Sequence, residues 1–432
     1  MNSDITLLPL SDIVRRDSPI TYGVVKPGDE DPYGVAFIRS GDINGGTIDP
    51  GSLRTITSEV SRQYRRTLLE GGEILISLVG TPGQAAIVPQ SLRGANIARQ
   101  VALVRVDPSY STRYIYYCLS SKQGKEALLA HSRGSVQQVI NLGDLQTVEI
   151  PVPPLPEQKA IAHILGTLDD KIELNRKTNE TLEAMAKALF ESWFVDFDPV
   201  RAKAEGRPTG LPEKISDLLP DSFEDSELGE IPSGWRTGSL DEIAMNPRET
   251  AKPEEMNSTD RYIGLEHMPR GSICLGESGE AEELESNKNR FREGDILYSK
   301  LRPYFKKTGY AQFDGVCSTD IVVTRKKGSS GAGFICCLLA SDPFIVFTVA
   351  ASTGTRMPRT SWGDMCEFPV VIPAQRLLER FDLQFFPLIE RIKTSCEYSV
   401  HLSLIRDALL PKLISGEIRI PDAERILEEV GV

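Results

Sequence analysis

The stretch Gly72-Glu73-Ile74-Leu75-Ile76-Ser77 returns about 220 residues later as Gly294-Asp295-Ile296-Leu297-Tyr298-Ser299. Further segments align in the same order at nearly the same offset: Phe37-Ile38 with Tyr262-Ile263, Gly46-Thr47-Ile48 with Gly271-Ser272-Ile273, Leu142-Gly143-Asp144-Leu145 with Trp362-Gly363-Asp364-Met365, and Ile150-Pro151-Val152 with Phe368-Pro369-Val370. Ordered matches of this kind indicate an internal repeat, which must be recognised before the fold is assigned.

Each copy carries the pattern of a mixed domain. Residues 101–106 and 320–324 are short apolar runs typical of strands, and residues 114–131 and 334–351 are predicted helices. We therefore expect an α+β domain of about 150 residues to occur twice.

A heptad seam follows each copy. The first comprises Ile161, Leu165, Leu168, Ile172, Asn175, Asn179, Leu182, Ala186, Leu189 and Trp193, and the second Phe381, Phe385, Leu388, Ile392, Ser395, Ser399, Leu402, Arg406, Leu409 and Leu413. Both seams are polar at the same two central steps, so an antiparallel coiled coil would pair Asn175 with Ser399 and Asn179 with Ser395. The alternative is that each amphipathic helix packs only on its own domain. Gly166 and Pro387 are expected to break the two helices.

The charge of the chain argues only weakly against a nucleic-acid ligand. The net charge is −12, but residues 1–155, 156–235, 236–370 and 371–432 carry net charges of 0, −8, −2 and −2. The acidity is therefore concentrated between the copies, where residues 196–230 are rich in acidic residues and proline and are predicted to form a solvated connector. Seven cysteines without a CxxC spacing favour a reduced, cytoplasmic chain, and no signal peptide or membrane span is expected.

Four motifs resemble one known family. They are residues 155–161 leading into 168–172, the run Trp193-Phe194-Val195-Asp196-Phe197-Asp198-Pro199-Val200, the opening of the second copy at 229–235, and residues 409–418. Together with the repeat, they are similar to the specificity subunits of type I restriction-modification systems, over nearly the full chain.

This resemblance implies two similar target recognition domains in a pseudo-twofold repeat, joined by two long antiparallel coiled-coil helices. The expected boundaries are 1–155 for domain 1, 156–195 for the central spacer helix, 196–235 for the connector, 236–373 for domain 2, and 374–432 for the distal spacer helix and C-terminal tail. A helix over 171–194 would span about 36 Å, close to the roughly 34–36 Å between half-sites one DNA turn apart.

The resemblance also implies a function and its partners. Each domain would read one half of a bipartite, asymmetric target in double-stranded DNA, and the chain would dock two methyltransferase subunits and two restriction subunits. S-adenosylmethionine, ATP and Mg would be bound by those partners, with no cofactor in this chain. One departure is that the pattern at 155–158 becomes Ile372-Pro373-Ala374-Gln375 in the second copy, so the counterpart of Glu157 is missing.

No catalytic or metal-binding motif was found in the sequence. A phosphate-binding GxxxxGK[ST] loop and the adenine-methyltransferase signature are both missing, and the four histidines are scattered. We therefore predict a non-catalytic subunit. The alternatives are a stand-alone site-specific DNA-binding module, a protein scaffold that uses the same repeat, and an enzyme that acts on DNA directly.

Candidate DNA-binding residues are chosen by type and position. In copy two, Lys300, Arg302, Tyr304, Lys306 and Lys307 interleave cations with aromatics after a predicted strand, whereas the counterpart loop at 77–84 has no cation. The loops ahead of Gly143 and Gly363 are rich in long donors that could read base edges, or could be ordinary solvated residues. These donors are Arg133, Gln137, Gln138, Asn141, Arg356 and Arg359.

Overall fold

The computed structural model describes residues 5–130, 139–282, 284–329, 331–354 and 357–431, without the side chain of residue 52. It divides into two compact units. Unit 1 holds Met1–Ile172 and His401–Val432, and unit 2 holds Glu173–Val400.

In the described residues up to Ile172, unit 1 combines short strands with five short α-helices and the start of a long one. Its strands are β1 (Thr6–Pro9), β2 (Thr21–Tyr22), β3 (Val35–Ile38), β4 (Ile43–Asn44), β5 (Thr47–Ile48), β6 (Arg54–Ile56), β7 (Ile74–Ser77), β8 (Ala85–Ile87), β9 (Asn96–Ile97), β10 (Val101–Val104) and β11 (Glu149–Val152). Its helices are α1 (Leu10–Ile13), α2 (Ser58–Gln63), α3 (Thr112–Ser120), α4 (Lys122–Ala130), α5 (Leu142–Gln146) and α6 (Leu155–Phe194), which continues into unit 2.

Unit 2 contains a similar order of elements, preceded by α7, α8, β12 and β13. Its helices are α7 (Asp198–Ala204), α8 (Glu213–Ser216), α9 (Leu240–Ile243), α10 (Ala332–Ala340), α11 (Asp342–Ala350), α12 (Trp362–Cys366) and most of α13 (Gln375–Ser415), while α14 (Ile420–Glu429) belongs to unit 1. Its strands are β12 (Phe223–Ser226), β13 (Gly229–Pro232), β14 (Arg236–Ser239), β15 (Ala244–Met245), β16 (Thr250–Ala251), β17 (Arg261–Ile263), β18 (Gly279–Glu280), β19 (Lys288–Phe291), β20 (Ile296–Ser299), β21 (Thr308–Tyr310), β22 (Gly315–Cys317), β23 (Ile321–Lys326) and β24 (Pro369–Ile372).

The two units share one sheet topology. The strand order β2-β10-β7-β8 in unit 1 matches β15-β23-β20-β21 in unit 2, and β1-β11 matches β14-β24. The order β6-β3-β9 matches β18-β17-β22, with the third strand parallel to the middle one in both. Unit 2 adds β19 and β16 to this sheet, and in the place of β19 unit 1 has the helix α2, between β6 and β7. The α+β repeat predicted from the sequence is thus confirmed.

The same buried ion pair occurs in each unit. Arg105, which follows β10, lies 3.5 Å from the carboxylate of Glu73, and Arg325 in β23 lies 2.7 Å from that of Asp295. Glu73 and Asp295 occupy the same position of the matched stretches that reveal the repeat. Because an unpaired buried charge is costly, loss of either partner of the pair would destabilise the sheet.

Both long helices are continuous, so the predicted breaks are wrong. Helix α6 has 40 residues and runs through Gly166, and α13 has 41 residues and runs through Pro387. A Cβ atom at Gly166 would lie 2.5 Å from Cζ of Arg113, whose Nη2 donates to the Gly166 carbonyl at 3.1 Å. Glycine at this position therefore permits close packing of an arginine.

Within each unit, α6 and α13 run antiparallel. In unit 1, Asp169 pairs with Arg406 at 2.7 Å. In unit 2, Asn175 Nδ2 donates to Ser399 Oγ at 3.0 Å, the partner that the sequence predicted. The amide of Asn179 donates instead to Cys396 Sγ at 3.3 Å, so the predicted partner Ser395 is wrong.

The segment after α6 is packed rather than solvated. Phe197, Val200, Ile215 and Leu219 are all buried in the core of unit 2. The expectation of a solvated connector over residues 196–230 is therefore wrong for these positions. In the sequence, acidic residues lie between these apolar residues. The composition of the segment therefore does not reveal that the apolar side chains form one buried face.

The predicted helices of each copy are divided in two. Ser121 separates α3 from α4, and Ser341 separates α10 from α11. Among the described residues, no single helix is long and apolar enough to cross a bilayer. Helices α10 and α11 taken together have sufficient length and apolar character, but they are bent by 60° relative to each other.

Candidate nucleic-acid interface

The cationic loop at 300–307 follows β20 in unit 2. A 3₁₀ turn at Pro303–Phe305 is flanked by Arg302 and Lys306, which have φ angles of 51° and 53°. Side chains other than glycine rarely adopt the left-handed region, and such strain occurs preferentially at functional sites. The loop therefore holds two cations in an unusual backbone geometry.

Aromatic rings support the cations of this loop. Cζ of Arg270 lies 3.9 Å from the ring centroid of Phe305, and Cζ of Arg302 lies 5.8 Å from the same centroid. Tyr304 meets Phe305 edge-on at 4.8 Å and is 47% exposed. Stacked guanidinium groups and an exposed tyrosine are typical of surfaces that bind nucleic acid.

A second loop docks on the first. Arg302 N donates to the Pro358 carbonyl at 2.8 Å, and Thr360 N donates to the Lys300 carbonyl at 3.0 Å. Thr353 and Arg359 exchange two backbone hydrogen bonds of 3.0 Å, which close the second loop at its base. The structure thus brings together Lys300, Arg302 and Arg359, which are far apart in the sequence.

Several of the candidate cations already have partners. Arg359 pairs with Asp320 at 3.3 Å, and Lys306 pairs with Asp342 at 2.5 Å, in both cases at an exposed position. Lys307 donates to the Leu265 carbonyl, and burial lowers the pKa of its ammonium group. Lys306 could consequently bind a phosphate after giving up only a surface ion pair. Lys307 would have to give up its hydrogen bond to the Leu265 carbonyl.

Unit 1 has the same pair of loops with different chemistry. Ile140 N donates to the Leu78 carbonyl at 3.0 Å, and Val79 bridges to Val139, so the loop at 77–84 pairs as the loop at 300–307 does. Asn141 is exposed and its amide donates to Asp144 at 3.2 Å. The predicted contacts Arg133, Gln137 and Gln138 of this unit, and Arg356 of unit 2, lie outside the described residues.

Sequence reasoning missed two sets of cations. Arg270 is exposed, and it lies against the cationic loop at 300–307 because Gly271 N donates to the Lys306 carbonyl at 2.9 Å. No local signal marks it, since that contact joins distant segments. In unit 1, Arg62, Arg65 and Arg66 are exposed beside Tyr64. This run interleaves cations with an aromatic residue. The same criterion selected residues 300–307, so it could also have found this run.

The missing counterpart of Glu157 can now be placed. Two residues separate the end of β11 from the start of α6, and two residues separate the end of β24 from the start of α13. The third residue of α13, Leu377, therefore corresponds to Glu157, and it is fully buried. The acid is replaced by a core side chain, which excludes an equivalent surface contact at Leu377.

Comparison with known proteins finds a matching domain and several similar proteins. The family model described as type I restriction modification DNA specificity domain matches residues 24–184. The MjaIX specificity subunit of Methanocaldococcus jannaschii is 28% identical over 384 residues, which cover 85% of this chain and 83% of the relative. The HindI specificity subunit of Haemophilus influenzae is 23% identical, covering 89% and 94%. Residues 24–184 thus match a type I restriction modification DNA specificity domain, and the chain is similar over most of its length to specificity subunits of type I restriction enzymes.

One further relative and one solved structure are also similar to this chain. The EcoBI specificity subunit of Escherichia coli is 33% identical over 222 residues, which cover 48% of this chain and 46% of the relative. The crystal structure of the S subunit of a type I restriction-modification system from M. genitalium matches 95% of this chain and 96% of its own, with a TM-score of 0.51 and 18% identity. At that identity, the likeness supports the fold.

Proposed function

We propose that the chain reads a bipartite, asymmetric DNA target, with each unit reading one half. The observation that carries this proposal is the repeated pair of docked loops, joined by the backbone hydrogen bond of Ile140 to Leu78 in unit 1 and of Thr360 to Lys300 in unit 2. One scaffold thus presents two chemically different surfaces. A cation-rich aromatic loop and a cation-free loop would not select the same bases, so the two half-sites differ in sequence.

The surface of unit 2 suits both kinds of contact that DNA recognition needs. Exposed lysine and arginine side chains bind phosphates and position the protein, whereas an arginine can also contact guanine through two hydrogen bonds. Lys300 and Lys306 are proposed as phosphate contacts, and Arg302 and Arg359 as candidates for base contact.

The chain is proposed to act as a non-catalytic subunit in the cytoplasm. Within the described ranges, no cluster of three His, Cys, Asp or Glu side chains is arranged to hold a metal ion. Methyl transfer and cleavage would be performed by two methyltransferase and two restriction subunits, which would bind S-adenosylmethionine, ATP and Mg. The exposed faces of α6 and α13 are the proposed docking surfaces for the methyltransferase subunits.

A band-shift experiment tests this proposal. The purified chain is mixed with its methyltransferase subunit and with duplexes in which the left half-site, the right half-site or the intervening spacer bases are scrambled. We expect loss of specific binding when either half is scrambled and no loss when only the spacer bases change. Binding of the methyltransferase subunit without any DNA preference would support the scaffold function instead, and methyl transfer by the chain alone would support the enzyme function.

A further inference from the structure

Two thiols of unit 2 are in direct contact. Sγ of Cys274 lies 2.7 Å from Sγ of Cys396, although the residues are 122 positions apart in the sequence. Cys274 is 8% exposed and stands in the loop before β18, and Cys396 lies in α13 and is partly exposed. A disulfide bond requires a sulfur separation of about 2.05 Å, so these atoms need to approach by less than 1 Å.

Both cysteines are held in place by neighbouring polar groups. Asn179 Nδ2 donates to Cys396 Sγ at 3.3 Å from the facing helix. The backbone N–H of Cys274 donates to Glu183 at 3.2 Å, and the same carboxylate accepts from the Ser272 hydroxyl at 2.6 Å and from Ile273 N at 3.3 Å. The loop is therefore anchored to α6 on one side of the thiols, and α13 supplies the other side.

The two thiols differ in reactivity. Donation from Cys274 and from Asn179 lowers the pKa of Cys396, although burial and Glu183 oppose this, whereas the contact with Cys396 and burial raise the pKa of Cys274. Cys396, the more exposed of the two residues, is thus also the better thiolate. Thiolates, and not thiols, attack disulfides, so Cys396 is the group that a dissolved oxidant would meet first.

We propose that Cys274 and Cys396 form an oxidisable dithiol site, which accepts a small disulfide such as glutathione disulfide and becomes an intramolecular disulfide. The Cys396 thiolate attacks one sulfur of glutathione disulfide, which forms a mixed disulfide and releases one glutathione thiolate. The Cys274 sulfur, after losing its proton to solvent, attacks Cys396 Sγ and expels the second glutathione. Two electrons pass from the protein to the oxidant, which leaves as two reduced glutathione molecules.

The bond would link the loop at 271–274 covalently to α13. Gly271 N donates to the Lys306 carbonyl, and Tyr310 N donates to the Ile273 carbonyl, so this loop supports the end of the cationic segment. Oxidation would therefore fix the base of the surface proposed to bind DNA. The dithiol chemistry itself does not depend on what that surface binds.

The experiment incubates the full chain in glutathione buffers of graded ratio, alkylates the remaining thiols and maps disulfides by mass spectrometry of proteolytic peptides. We expect a peptide that links Cys274 to Cys396 and a melting temperature raised by roughly 5 to 15 °C, since a bond that closes a loop of this length constrains the unfolded chain. Cys366→Ser is the matched control, because Cys366 ends α12 of the same unit, is partly exposed, and its loss should leave the link intact.

Single variants separate the two steps. Cys274→Ser should accumulate the glutathione adduct on Cys396, and Cys396→Ser should form neither adduct nor link at Cys274. The proposal is overturned if the wild-type chain keeps both thiols free in buffers that convert Cys274→Ser to its adduct. It is also overturned if Cys396 retains glutathione while Cys274 is alkylated, or if Cys274→Ser remains unmodified at every ratio.

Discussion

Lys306 and Lys307 are adjacent cations for which the structure predicts opposite outcomes. The Lys306 side chain is 49% exposed and its ammonium group pairs with Asp342 at the surface, whereas the Lys307 ammonium group donates to the Leu265 carbonyl. If Lys306 contacts one phosphate, Lys306→Ala should reduce the slope of log affinity against log salt by about 0.9. Between 50 and 200 mM salt, that change corresponds to about a 3.5-fold smaller loss of affinity than wild type suffers.

The control variant is Lys307→Met, which keeps the aliphatic stem and removes the ammonium group. It should leave the salt slope unchanged and lower the free energy of unfolding by about 1 kcal/mol, the usual value of one hydrogen bond. The assay is fluorescence anisotropy of a labelled duplex, titrated with the complex of this chain and its methyltransferase subunit at several salt concentrations. An unchanged slope for Lys306→Ala, or a reduced slope for Lys307→Met, would refute the assignment of Lys306 as the phosphate contact.

Three further predictions concern specificity and stability. Arg359→Ala should relax one base position of the half-site of unit 2 by about 1 to 3 kcal/mol, which competition with singly substituted duplexes measures; equal weakening on all duplexes would make it a phosphate contact. The buried carboxylate of Asp382 accepts hydrogen bonds from two backbone N–H groups at the start of α10, at distances of 2.6 and 2.9 Å. Asp382→Asn should therefore lower the free energy of unfolding by about 2 kcal/mol, which denaturant titration measures. Asn175→Leu should raise the melting temperature, since the polar pair with Ser399 fixes register at a cost in stability; a lower melting temperature would contradict that role.

The sequence predicted the repeat and the two long helices because both leave periodic signals. Matched apolar stretches mark the strands, and the seams from Ile161 to Trp193 and from Phe381 to Leu413 mark the coiled coil. The structure confirms both. The predicted breaks failed because a local rule about glycine and proline cannot register a tertiary contact such as that of Arg113 with Gly166.

The candidate site was predicted in part. Residues 300–307 were selected for their interleaved cations and aromatics, and the structure shows that the second loop docks on them. Arg270 was missed because it reaches the same surface through a backbone hydrogen bond between distant segments. The partners of Lys306 and Lys307 were also invisible, since Asp342 and Leu265 are remote in the sequence. The identity of the recognised bases depends on loop geometry, which residue types alone do not determine.

Exchange of one recognition unit tests most directly whether the two units recognise their half-sites separately. Residues 1–150 are replaced by the corresponding segment of a relative with a different target, and the methylated sites of a host that carries the hybrid system are determined by sequencing. If each unit reads its own half-site, one half of the methylated target changes to that of the donor, and the half read by unit 2 is kept. A change in both halves, or in neither, would contradict the claim that the two units are separate readers.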